Sequence, residues 1–198
     1  MNTITTTLTT DAVFSDDGLK RYLLKKTWGE NLPKIAVIML APSEASGVSL
    51  DTTTQLVINN ASRLGYGSVS IVNLFATLND FNLRQAETED TDNLNAILSA
   101  VQDADCVVYA PGTGKAKNKV FQRRQEQVLT ALSSIESKLH CLCNEDGNAR
   151  LQHPLSPAVR TWHLSPLKIS ELIVEAIQSE PQPKKKSRTK ITKKEPTN

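Results

Sequence analysis

A doubly wound α/β fold, with a mostly parallel four-stranded sheet and helices on both faces, is predicted by three observations. Short continuous apolar runs recur at residues 34–40 (KIAVIML), 68–74 (SVSIVNL), 105–110 (DCVVYA) and 138–143. Runs of that length without polar alternation suit strands covered on both faces. Segments with helical apolar spacing separate them, and alternating strands and helices build parallel sheets.

The first element is a strand at residues 20–28 (KRYLLKKTW), ahead of the buried run at 34–40. After a polar loop at 41–51, residues 52–64 place Leu56, Asn60, Ala61 and Leu64 on one helical face, and Gly65 is a natural stop. A long polar loop at 75–91 leads to a helix at 92–104, capped by Asp92 or Thr91. Pro111-Gly112-Thr113-Gly114 closes the strand at 105–110 and feeds a basic amphipathic helix at 115–133. A polar turn at 144–150, a rigid loop at 153–157 and a last helix at 166–179 complete the chain. The domain reading is a flexible leader at 1–12, one α/β domain at 13–180 and a disordered tail at 181–198.

Composition narrows the function. The 198 residues suffice for one core, and no apolar run reaches the ~20 residues of a membrane helix. The amino-terminal stretch lacks the features of a signal peptide, and the expected compartment is the cytoplasm. Three cysteines, Cys106, Cys141 and Cys143, fit a reducing environment and no disulfide framework. Neither they nor the three histidines have metal-ligand spacing, so no metal and no cofactor is expected. Residues 181–198 carry seven Lys or Arg and one acid, while the whole chain is only +2, so an acidic body bears a cationic tail. Such a tail cannot bury a core; it reads as a phosphate-binding arm or as a solubilising segment.

In parallel sheets, ligands bind at the carboxyl ends of the strands. The loop at 110–116 is not a Walker motif, because Tyr109 stands where that motif needs Gly and Ala116 where it needs Ser or Thr. Gly112, Gly114, Lys115, Lys117, Lys119 and Arg123 remain candidates for contact with DNA backbone phosphate, the alternative being an ordinary solvated helix face.

An ordered set of residues carries a resemblance: Phe14-Ser15, Arg21-Tyr22-Leu23, Trp28, Ile38-Met39-Leu40, Pro42-Ser43, Asp51, Thr53, Gly65-Tyr66-Gly67, Val72 to Ala76, and His153-Pro154-Leu155. Over most of 14–155 the chain resembles the bacterial and phage family called domain of unknown function 1643, whose name implies no activity. More remotely, Pro42, Asn73 and His153-Pro154 resemble the uracil-DNA glycosylase superfamily. That superfamily pairs a Pro-containing first-strand loop with a late His-Pro loop and reads the extruded base with an Asn. Most members carry Asp or Asn where Ala41 stands, but the type B enzymes read Ala-Pro there and use a later Asp, which Leu40-Ala41-Pro42-Ser43 with Asp51 resembles.

The resemblance implies a DNA glycosylase-like hydrolase that removes a damaged or modified base, in a phage or foreign DNA setting. Asp51 would stabilise the sugar cation and His153 the leaving base. Pro42, Ser43, Asn73, Phe75 and Tyr109 would form the base pocket. Each has a structural alternative: Asp51 as a helix cap, His153 as a turn residue, Asn73 as a backbone partner, Phe75 as core. Two other functions stay open: a noncatalytic nucleic-acid or nucleotide-binding module, and an enzyme of free nucleotides or nucleosides. The oligomeric state is not encoded legibly.

Overall fold

The computed structural model describes residues 1–44, 47–79 and 81–172. The tail at 181–198, and the last predicted helix beyond 172, lie outside the described residues.

The strands are β1 (Thr9–Phe14), β2 (Arg21–Thr27), β3 (Lys34–Met39), β4 (Ser68–Asn73), β5 (Cys106–Tyr109), β6 (Leu139–Cys143) and β7 (His163–Pro166). The helices are α1 (Thr52–Arg63), α2 (Thr91–Asp103) and α3 (Lys119–Ala131). One seven-stranded sheet forms in the order β1-β2-β4-β3-β5-β6-β7. The expected four-stranded, mostly parallel doubly wound sheet is therefore incorrect. Only β4-β3-β5-β6 pair in parallel; β1 with β2, β2 with β4, and β6 with β7 are antiparallel.

The physical reason lies in the patterning. The four parallel strands are the continuous apolar runs, which a sequence displays plainly. The edge strands are covered less completely and carry polar residues: β1 alternates exposed and half-buried positions within a Thr-rich segment, and none of β7 is fully buried. Residues 9–12 therefore resemble a leader in sequence but form a strand, and Pro166 resembles a helix start. Pro166 instead ends an edge strand, where a missing N–H is tolerated, and residues 169–172 are helical.

Two cores flank the sheet. On one side Val57 and Ala61 of α1 pack with Ile35, Val37, Met39, Val69, Ile71 and Trp162. On the other, Ile97, Ala100 and Val101 of α2 and Phe121, Val128 and Leu129 of α3 pack with Ala36, Ile38, Val72 and Val107. α1 starts where predicted, at the extended Asp51 cap, whereas α2 is capped by Asp90 and α3 starts at Lys119 behind an Asn118 cap.

The turn into β4 is tight. Gly67 accepts hydrogen bonds from Trp28 N (2.8 Å) and Gly29 N (2.9 Å). A Cβ on Gly67 would lie 1.9 Å from the Gly29 carbonyl oxygen and 2.6 Å from Leu32 Cβ. Both obstacles sit on or beside backbone, so they cannot swing away. Gly67→Ala is expected to cost about 3 kcal/mol, read as a lowered urea midpoint at unchanged m-value.

Candidate functional site

The chain leaves β3 for α1 on one face and leaves β5 for α3 on the other. The carboxyl ends of these neighbouring strands thus form a topological switch point, where open sheets hold ligands. The loop at 40–51, the loop at 110–118 and the His-Pro loop meet there.

Asp51 caps α1. Its Oδ1 accepts from Thr54 N (2.9 Å), and its Oδ2 accepts from Thr54 Oγ1 (3.1 Å) and from the Ser43 hydroxyl. Burial pushes the carboxyl up, but the hydrogen bonds from Ser43, Thr54 and the Thr53 backbone outweigh it and hold it below the ordinary carboxylate value. Asp51 is therefore a fixed anion and a poor proton acceptor.

His153 sits half-buried in a turn closed by its own carbonyl, which accepts from Ser156 N (2.8 Å). Its Nδ1 accepts from Leu155 N (3.2 Å). Burial lowers its pKa from 6.5, opposed by the Asp51 carboxylate. The ring is then neutral at neutral pH, and with Nδ1 accepting, the proton resides on Nε2. Gly112 adopts φ +82°, and a Cβ there would meet His153 Cβ at 3.1 Å. Glycine at 112 thus lets the loop after β5 interlock with the His-Pro loop.

Asn73 ends β4 paired with Met39. Strand alternation gives it the face of Val69 and Ile71, which α1 covers. It is fully buried, and neither amide atom has a hydrogen-bond partner. Leaving such a group unpaired costs about 1–3 kcal/mol, so an orphaned amide at a strand end calls for an explanation.

Sequence reasoning misses Arg21 and Lys26. In β2, Val13 pairs with Leu23 but Phe14 pairs with Arg21, so Tyr22 is an extra residue. Without this bulge Arg21 would share Leu23's face; with it, Arg21 joins Leu24 and Lys26 on the α1 side. The buried Arg21 donates from Nη1 to the Ser43 carbonyl (3.0 Å) and lies within electrostatic range of Asp51. Lys26, 1% exposed, donates to Thr10 Oγ1 (2.8 Å) and to the Gly47 carbonyl. Two cations of one strand thus fasten the Asp51 loop. Their signal in the sequence is a pair of basic residues inside a strand that otherwise packs.

The remaining predicted residues do not all join this group. Pro42 and Ser43 line the loop, half-buried. Phe75 belongs to the opposite core, tilted against Phe81 with ring centroids 5.3 Å apart. Tyr109 also faces that side, donating to Gln125 Oε1 (2.8 Å) in a cavity of about 170 Å3 that includes Gly112, Lys117 and Phe121 but neither Asp51 nor His153. Tyr109 and this cavity lie on the α3 side of the sheet, whereas Asp51 caps α1 on the other side. Gly114, Lys115, Lys117 and Lys119 are exposed, and Arg123 is ion-paired with Glu89. The Gly-rich loop does not open directly into α3, because a turn at 113–116 intervenes and Asn118 Oδ1 occupies Val120 N and Phe121 N.

Among the described residues no group of three or more His, Cys, Asp or Glu is placed to hold a metal. No helix among them is long and apolar enough to cross a membrane. A family model described as "Protein of unknown function (DUF1643)" matches residues 21–155. No curated protein and no solved structure matches the chain.

Proposed function

We propose, for a chain that belongs to the DUF1643 family, the hydrolysis of the N-glycosidic bond of a damaged or modified base in DNA. The observation that carries this reading is the pairing, at one strand edge, of a fixed carboxylate with a neutral imidazole whose Nε2–H is free to donate. Cleavage moves the C1′–N electron pair onto the base and leaves positive charge on the sugar. Asp51 stabilises that cation. His153 Nε2–H donates to the anionic base. Water adds to C1′ and releases its proton to solvent, since Asp51 is too acidic to keep it. The unpaired amide of Asn73 suits reading of a base edge. The uracil-DNA glycosylase resemblance of Pro42, Asn73 and His153-Pro154 points to the same chemistry, and a noncanonical base of phage or foreign DNA is the substrate class proposed.

One observation favours a second reading, a noncatalytic binding module: both Asp51 oxygens are engaged in holding the loop and helix. Incubating DNAs that bear different modified bases with the protein, and then measuring released bases by mass spectrometry, separates the two. Release of free base is expected. Binding without release supports the module, and turnover confined to free nucleotides moves the chemistry to a different substrate.

The reaction also carries a pH signature. Because the folded pKa of His153 lies below 6.5, the neutral donor persists as pH falls through that value. Protonation of Nδ1 keeps Nε2–H but destroys the acceptor for Leu155 N that fixes the ring, so the rate is expected to hold level from neutral pH to below 6.5 and then decline as the ring loses its orientation. Stability linked to His153 has the same sign, complete above its unfolded pKa and lost as pH falls toward the folded one. His153→Ala is expected to slow base release about 10²-fold and to abolish this acid limb; a wild-type profile in the variant would remove His153 from the mechanism.

A further inference from the structure

At the same sheet edge, on the α2 and α3 side, an open groove of about 630 Å3 runs between the loops after β4 and β5. Its walls are Phe81, Asn82, Leu83 and Arg84 on one side and Lys115 and Asn118 on the other. Phe81 is half-buried and backed by the core ring of Phe75, so it stands as a fixed aromatic surface in the wall. Asn82 Oδ1 accepts from Arg84 N (3.0 Å) and sets the turn that carries Arg84. Asn118 Oδ1 is used in capping α3, which leaves its Nδ2 as a donor beside the groove.

The charges of this region are unevenly settled. Three acids of the β4–α2 loop are already engaged: Glu87 and Asp90 with Lys20, and Glu89 with Arg123. Arg84 and Lys115 are exposed and form no ion pair among the described residues. Two exposed cations, without an acidic partner among the described residues, flanking an aromatic ring and an amide donor are the elements that track a nucleic-acid backbone while one base stacks. A duplex would keep its bases stacked inside and offer none to Phe81.

We infer that this groove binds single-stranded DNA, with one base stacked on Phe81 and the flanking phosphates on Arg84 and Lys115. This deepens the proposed function by naming the strand state of the substrate, and it rests on that reading for the chemistry at Asp51. The binding is measured separately from base release, so a failure of one is not a failure of the other.

The test is fluorescence anisotropy of the full chain with a labelled oligothymidylate of about 12 nucleotides, titrated over roughly 50–200 mM salt. Replacing both Arg84 and Lys115 by Ala is expected to flatten the log affinity against log salt slope by about 1.4, at about 0.7 per lost phosphate contact on a single strand. Phe81→Leu keeps apolar packing against Phe75 and removes the stacking face. It is expected to weaken binding about 5–150-fold with the slope unchanged. The inference is overturned by a wild-type slope in the double variant, by wild-type affinity in Phe81→Leu, or by tighter binding of a duplex of equal length.

Discussion

Asp51→Asn is expected to bring base release down to background, a loss of at least about 10³-fold, while the protein still folds, with a melting temperature lowered by the lost attraction to the buried Arg21. The two halves of that result separate catalysis from capping. Asn caps a helix about as well as Asp, and its oxygen can keep the bond from Thr54 N. The hydroxyls of Ser43 and Thr54, which donate to Oδ2, can rotate to accept from the amide. What disappears is the negative charge that the proposed reaction sets against the sugar cation. An Asp51→Asn variant that is normally folded and fully active would reduce Asp51 to a cap and sink the catalytic assignment. A protein that binds DNA in both forms and releases base in neither would favour the binding-module reading.

The largest expected loss of stability is at Trp162. It is 1% exposed and fills the core between the sheet and α1. Its backbone is fixed from α1 on both sides: Trp162 N donates to Asn60 Oδ1 (2.9 Å), and its carbonyl accepts from Arg63 Nη2 (2.7 Å). Trp162→Ala removes the largest apolar surface in that layer and leaves a cavity that clamped backbone cannot close. A cost of about 3–5 kcal/mol is expected in urea unfolding. The indole Nε1 is buried without a partner, so Trp162→Phe deletes an orphaned donor together with some packing. It should cost clearly less than the alanine variant; an equal loss would show that the indole nitrogen contributes after all.

Asp51 is legible as a cap because a polar loop ends in Asp ahead of a clear amphipathic segment, and His153-Pro154 because the pair stands out in a turn. The four inner strands are legible because burial on both faces produces unbroken apolar runs such as KIAVIM. The same physics hides the rest. Edge strands need only part of one face covered, so Thr9–Phe14 and His163–Pro166 carry no such run, and the sheet expected from sequence is too small and too parallel. The bulge at Tyr22 is hidden because it is a property of pairing rather than of residue type. Phe75 and Tyr109 look like base-pocket residues from their proximity in sequence to strand ends, but Tyr109 shares the face of Val107, and Phe75, past the end of β4 where alternation stops, turns into that same core, opposite Asn73. Arg124 looks like one more cation of a basic helix surface; it is fully buried.

That burial has a consequence for how the groove beside Phe81 is prepared. The Arg124 guanidinium donates to the carbonyls of Leu74 (2.7 Å), Thr88 (3.1 Å) and Asp90 (3.5 Å), at the two ends of the segment joining β4 to α2. Asn93 Nδ2 adds bonds to the Asn73 and Leu74 carbonyls (3.0 and 3.1 Å). The segment is therefore a closed ring with a side-chain clasp. Its closure entropy is met once, when the chain folds, rather than each time a ligand arrives. Phe81 and Arg84 ride on the ring, so they present a preorganised wall, and binding has less chain left to order.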